Sequence, residues 1–186
     1  MLFLAIVFWP ISVPLLVGYG YLLFRAVKKP AYGMLAIAIL APYLAYKAFL
    51  YHWYVQVLPE QLEVTYPVSI NEEGGFMEGC SVAVFKLSDK TVQAVRKNGL
   101  TFFAAATQAR GYPDEIYYQY DKWNETPVPE IWTREGSWMM CPDMSNTMHS
   151  QIVKAAQRNG AYYTHTDEGQ LIVIPSLGIV VFSSWG

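Results

Sequence analysis

Three histidines, two cysteines and fifteen carboxylates are the groups in this chain most able to do chemistry. His52 stands in an aromatic run, His149 in a helical pattern and His165 in a strand pattern. Cys141, Asp143 and His149 could reach one metal ion, but their spacing matches no zinc pattern, which wants closely paired Cys or His ligands. No metal site is expected. No G-x-S-x-G, H-E-x-x-H or phosphate-cradling glycine loop occurs. Carboxylates are frequent, yet no two are marked out as acid and base, the facing pair that glycoside cleavage needs. No catalytic residue is nominated, and neither enzyme activity nor a cofactor is expected.

Cys80 and Cys141 are the only cysteines. An even count favours a disulfide where the compartment is oxidising. No local motif marks either thiol as a nucleophile.

The stretch from Tyr112 to Trp138 is the most informative. Tyr117, Tyr118, Tyr120, Trp123, Trp132 and Trp138 crowd it. Such residues offer large contact area with a polar tip, which enriches them at interfaces. They form a candidate binding surface, able to hold a glycan or a peptide, while a good half are expected to fill the domain's own core.

These residues must be carried by elements that the pattern also indicates. "SVAVFKL" from Ser81 is β-branched and reads as a strand. "SDKTVQAVRKNG" follows as a helix: Ser88 caps it, Asp89 suits its first turn, Arg96 and Lys97 its last, and Gly99 ends it. "LTFFAAATQARG" reads as a further helical segment, and Tyr118 to Asp121 as a short strand. "SNTMHSQIVKAAQRNG" is a second clear helix, capped by Ser145 or Asn146 and stopped by Gly160. The end of the chain holds three strand-like runs separated by turns containing Gly169 and Gly178, a β-meander. Residues 80–186 are thus predicted to form a small α+β domain, an antiparallel sheet with helices on one face. Residues 58–79 read as a connector, with "LEVTYPVSI" able to form an edge strand despite Pro67.

The N-terminal third is different. No charge occurs from Leu2 to Phe24, and a second uncharged run precedes Lys47. A bilayer core needs a helix of about 20 apolar residues. The pattern predicts a membrane protein with a two-helix transmembrane hairpin over residues 1–57, its spans at about 2–24 and 32–53. Arg25, Lys28 and Lys29 would hold the hairpin's turn in the cytoplasm. The N-terminus and the C-terminal domain would then lie outside, in a bacterial inner membrane with a periplasmic domain. "VGYG", Val17 to Gly20, resembles the potassium-channel filter signature T-V-G-Y-G over four residues. Leu16 stands where that signature has threonine, and no pore helix precedes it. Gly18 and Gly20 read better as points of close helix approach.

All fifteen Asp and Glu lie after Leu58, with nine of the thirteen Lys and Arg, so that part of the chain carries a formal charge of −6. Such a balance argues against a nucleic-acid partner, which wants a basic face. The layout points to a membrane-anchored extracytoplasmic binding protein with the bilayer and an envelope protein as partners. A toxin-neutralising immunity protein is one concrete version. The alternatives are an accessory subunit of a secretion, division or pilus assembly, and, ranked last, a tethered hydrolase. Nothing in the sequence sets the oligomeric state.

Overall fold

In a computed structural model of the chain, residues 17–21, 24–25, 32–74, 79–134, 137 and 146–185 are described, with the side chains of 32–36 and 146 left aside. The chain divides into two compact units, Met1–Leu50 and Tyr51–Gly186. The first unit is helical where it is described: residues 17–21, 24–25, and the start of helix α1, which runs Tyr32–Val57. Residues 17–21 are helical with Gly18 and Gly20 exposed and no heavy atom within 4 Å of either glycine's Cβ position. The backbone there is helical, not filter-like, and no described residue makes a close approach to either glycine. Arg25 is exposed. Lys28 and Lys29 lie outside the described residues.

Among the described residues, no helix is long and apolar enough to cross a membrane. This overturns the expected transmembrane hairpin. With it go the inner-membrane placement and the periplasmic orientation drawn from the charged turn. The physical reason lies in what α1 does with its apolar residues. Its last two turns belong to the second unit, where Tyr54 and Val57 are buried together with the following Leu58. Tyr51 meets Phe85 edge-on at 5.9 Å and Tyr54 meets Phe182 at 6.2 Å between ring centroids. Residues 37–49 precede those turns on the same rod of helix. Ile37, Leu40, Tyr43, Leu44, Tyr46 and Phe49 on that rod are exposed.

The second unit is built on one six-stranded antiparallel sheet in the order β1-β2-β6-β5-β4-β3. Its strands are β1 (Val64–Gly74), β2 (Gly79–Leu87), β3 (Asn124–Glu125), β4 (Tyr162–His165), β5 (Gly169–Ile174) and β6 (Ile179–Trp185). The last three form the meander that the turn glycines announce. The extended stretch before β2 becomes an edge strand, with irregular register on both sides of Tyr66–Pro67. A proline is tolerated there because the edge needs no ladder bond at every residue.

β2, β5 and β6 are apolar on both faces, so both faces need cover. Side chains alternate along a strand. Val82, Val84, Ile172, Ile174 and Val181 face one way, into a core with Trp132, Ile152 and Ala156. Ile152 and Ala156 belong to helix α3, Asn146–Ala156. Phe85, Phe182 and Tyr162 face the other way, against Tyr51 and Tyr54 of α1 and against Phe103. The expectation of helices on one face is therefore corrected to helical segments on both.

Helix α2 spans Asp89–Asn98 and is capped as the sequence indicates: the Thr91 amide donates to Ser88 Oγ, and Gly99 follows at φ 55°. The segment after it differs from its pattern. Only Gly99–Phe103 is helical, as a 3-10 turn, and in place of a strand over Tyr118 to Asp121 the chain has a 3-10 turn at Ile116–Tyr118 followed by a single bridge between Gln119 and Gln108. Phe103 accounts for the early stop. It is buried, stacked on Trp123 at 4.1 Å, and the chain turns to place it there.

Candidate functional site

The predicted aromatic surface is sorted by the fold into core and cleft. Trp123 and Trp132 are buried, on opposite faces of the sheet. The Trp123 indole donates to the Ala106 carbonyl at 2.7 Å. Trp138 lies outside the described residues. Tyr117, Tyr118 and Tyr120 come together as one wall of a cleft of about 170 Å³. Trp53, Glu168, Phe182 and Trp185 supply much of the remainder.

Each wall is held for a local reason. Tyr120 is the anchor: its hydroxyl donates to the Val57 carbonyl at 2.8 Å, satisfying the end of α1. Tyr118 is stacked on Tyr112 at 4.0 Å and 14°. Their loop is gathered by Gln108, whose amide donates to the carbonyls of Tyr112 and Glu115. Tyr117 is 44 % exposed and donates its hydroxyl proton to Glu168 Oε2. Glu168 is fixed by its own backbone, since the Trp185 amide donates to its carbonyl at 3.1 Å. Gly169 leaves room for its neighbours: a Cβ there would stand 3.0 Å from the Phe182 ring and 2.9 Å from Thr166 Oγ1, so one of them would have to shift.

A second cavity, about 240 Å³, adjoins the first. Trp53 and Ser184 line both. Its other walls include Glu72 and Glu73 on β1, Tyr54 on α1, and Cys80 and Ser81 on β2. The Tyr54 hydroxyl donates to Glu72 Oε1 at 2.8 Å, and the Ser81 and Ser184 hydroxyls share a hydrogen bond of 2.8 Å. Cys80 is buried and disulfide-bonded. The chain's other cysteine, Cys141, lies outside the described residues, as does Asp143.

The electrostatics of the two cavities have one sign. Among the described residues, no Lys, Arg or His lines either. Partial burial, and then the Glu168 carboxylate, push the Tyr117 hydroxyl up to about 12. Burial, and then Tyr112 and Glu115, raise Tyr118 as well. Tyr120 is raised by its burial and then by Tyr118. All three therefore stay protonated, as donors, at neutral pH. Lysine and arginine line a different cavity, at the end of α3, where Lys154 and Arg158 stand beside Gln151 and Asn159.

The histidines do not join this site. His52 is exposed on α1, His149 lies on α3, and His165 Nδ1 is 3.4 Å from Asp121 Oδ2. No group of three or more His, Cys, Asp or Glu placed to hold a metal occurs among the described residues.

Trp53, Glu168, Phe182 and Trp185 were not legible as site residues. Trp53 sits in a run that reads as a membrane boundary. Glu168 reads as a turn residue, and Phe182 and Trp185 as a strand. Only the antiparallel pairing of β5 with β6 brings Gly169 opposite Ser184 and so sets Glu168 beside Trp185. No protein-family model, curated protein or solved structure matches the chain, so its own geometry carries the reading.

Proposed function

We propose that the second unit is a binding domain without catalytic activity, and that its ligand site is the aromatic cleft between Tyr117 and Trp185. The observation that carries this reading is the cleft itself. Aromatic rings from three separate parts of the chain converge on one concave, partly open surface with hydroxyl and carboxylate groups at its rim. Sites of this kind fix a ligand by apolar contact and orient it with a few polar groups. The polar groups support binding better than turnover. The tyrosine protons are held more tightly than usual, and among the described residues no His, Lys or Arg lines either of the two cavities that meet at Trp53.

A protein or peptide is the class of ligand this surface suits. A toxin neutralised by this domain is one partner of that class. No described feature favours an accessory-subunit role in an envelope assembly.

The test is selection of peptides from a random displayed library on the full chain, followed by transfer of the winners to two variants, Trp53→Leu and Tyr117→Ala. Enriched peptides are expected to shift the indole N–H resonances of Trp53 and Trp185 and to lose affinity on both variants. Peptides that bind both variants unchanged would place the ligand elsewhere and refute the cleft as the site.

A further inference from the structure

The two cavities that meet at Trp53 combine aromatic faces with carboxylates, and that pairing selects a kind of ligand. An aromatic face attracts an organic cation through its quadrupole, with Trp the strongest of the side chains. A carboxylate beside it completes the match, above all for a guanidinium, which takes planar paired hydrogen bonds. We propose that Trp53 is the shelf for an arginine or lysine side chain of a basic peptide segment in a protein partner. Glu72 and Glu73 in one cavity and Glu168 in the other would take its charge. This rests on the binding-domain reading above and names its ligand class.

Four observations support it. Among the described residues, those lining the two cavities include carboxylates and no Lys, Arg or His. Glu168 is already oriented, by Tyr117 at its carboxylate and Trp185 at its carbonyl. Trp185 is 46 % exposed and shares the cleft with Trp53. Lys154 and Arg158 line another cavity, and the chain beyond Leu58 carries −6 overall. A basic partner would therefore be steered toward this domain. A bare metal ion fits less well, because the described residues provide no cluster of three or more ligands.

The experiment uses the full chain and two capped peptides of the same length, a Gly-Arg repeat and its citrulline counterpart, which keeps the shape and loses the charge. Affinity is measured by fluorescence anisotropy, and the site by the indole N–H resonances of Trp53 and Trp185. The variants are Glu72→Gln and Glu168→Gln, each of which keeps a carbonyl acceptor for its tyrosine, and Glu130→Gln as a control. Glu130 is an exposed carboxylate beside Arg134. The expected result is that the arginine peptide shifts both indoles and that each cleft variant weakens it by about tenfold, the scale of one hydrogen bond to a charged group. Glu130→Gln should leave it unchanged, and the citrulline peptide should bind at least about tenfold more weakly.

Equal binding of the citrulline peptide at the same indoles would overturn the cationic ligand and leave the cleft standing as a binding site. Binding weakened as much by Glu130→Gln as by the cleft variants would show general attraction to an acidic surface, and would overturn the proposal. No shift of either indole by any peptide, including those selected from the library, would overturn this inference and the binding-domain reading together.

Discussion

Arg110 offers a quantitative test of how the chain after α1 is fixed within the second unit. Its guanidinium reaches back to the chain just past the end of α1. Nε donates to the Leu58 carbonyl at 3.2 Å, and one Nη donates to the carbonyls of Pro59 at 2.9 Å and Leu62 at 2.6 Å. Its backbone amide also donates to Leu58, and the next amide, Gly111, donates to Gln56 at 2.9 Å. A cation here meets the negative end of the helix dipole as well as three carbonyls of the chain just past the helix. Burial lowers the Arg110 pKa, and the carboxylate of Glu60 opposes that shift. Arg110→Ala removes three charge-assisted bonds, each worth about 1.5–3 kcal/mol where fully enclosed. The site is only half-buried, so water re-solvates part of what is lost, and freeing the side chain returns up to about 2 kcal/mol of entropy. The net expectation is a loss of about 2–3 kcal/mol, or about 4–12 °C in Tm for a chain of this size. Arg110→Lys should recover roughly a third of this, because an ammonium cannot span three carbonyls from one planar fork. Urea unfolding followed by tryptophan fluorescence reads both variants, at unchanged m-value. Because Trp53 rides on the same turns of α1, peptide affinity at the cleft should fall with stability. An Arg110→Ala variant within about 0.5 kcal/mol of the parent, the range of an ordinary surface change, would refute the clamp. So would a lysine variant equal to the parent.

Two further outcomes follow from the site. In an alkaline titration monitored by tyrosinate absorbance, Tyr117→Phe should remove a group that ionises near 12 and not at the ordinary tyrosine value near 10. Because the folded-state pKa lies above the ordinary value, the stabilisation from Tyr117 is complete below about pH 10 and is lost as pH rises through about 12. Disappearance of absorbance from the component near 10 instead would show that Tyr117 and Glu168 do not pair. Peptide mapping without reductant should recover Cys80 joined to Cys141, the chain's only other cysteine. Replacing both by serine should cost up to about 4 kcal/mol for a loop this long. Two titratable thiols in the unreduced, unfolded chain would dismiss the bond.

Local chemistry made much of the sheet domain legible. The β-branched runs at Ser81, Leu171 and Ile179 read as strands and lie in β2, β5 and β6. Ser88 and Gly99 bracket a helix that forms between their two signals, and Gly178 turns the meander at φ 64°. These are short-range effects, decided by a residue's own conformational preference and its immediate neighbours. Tertiary structure alone decided three other matters. Tyr51, Tyr54 and Val57 continue an apolar run that reads as a membrane span, yet they cover one face of the sheet. Hydropathy records that a residue leaves water but not what it is buried against. Tyr117 and Trp123 look alike in sequence, and one rims a cleft while the other stacks on Phe103 in the core. The site's missing half, from Trp53 on α1 to Glu168 and Trp185 across the β5–β6 pair, is separated by more than a hundred residues along the chain. No local preference encodes such a meeting, because it exists only when helix end, turn and strand end are packed into one corner.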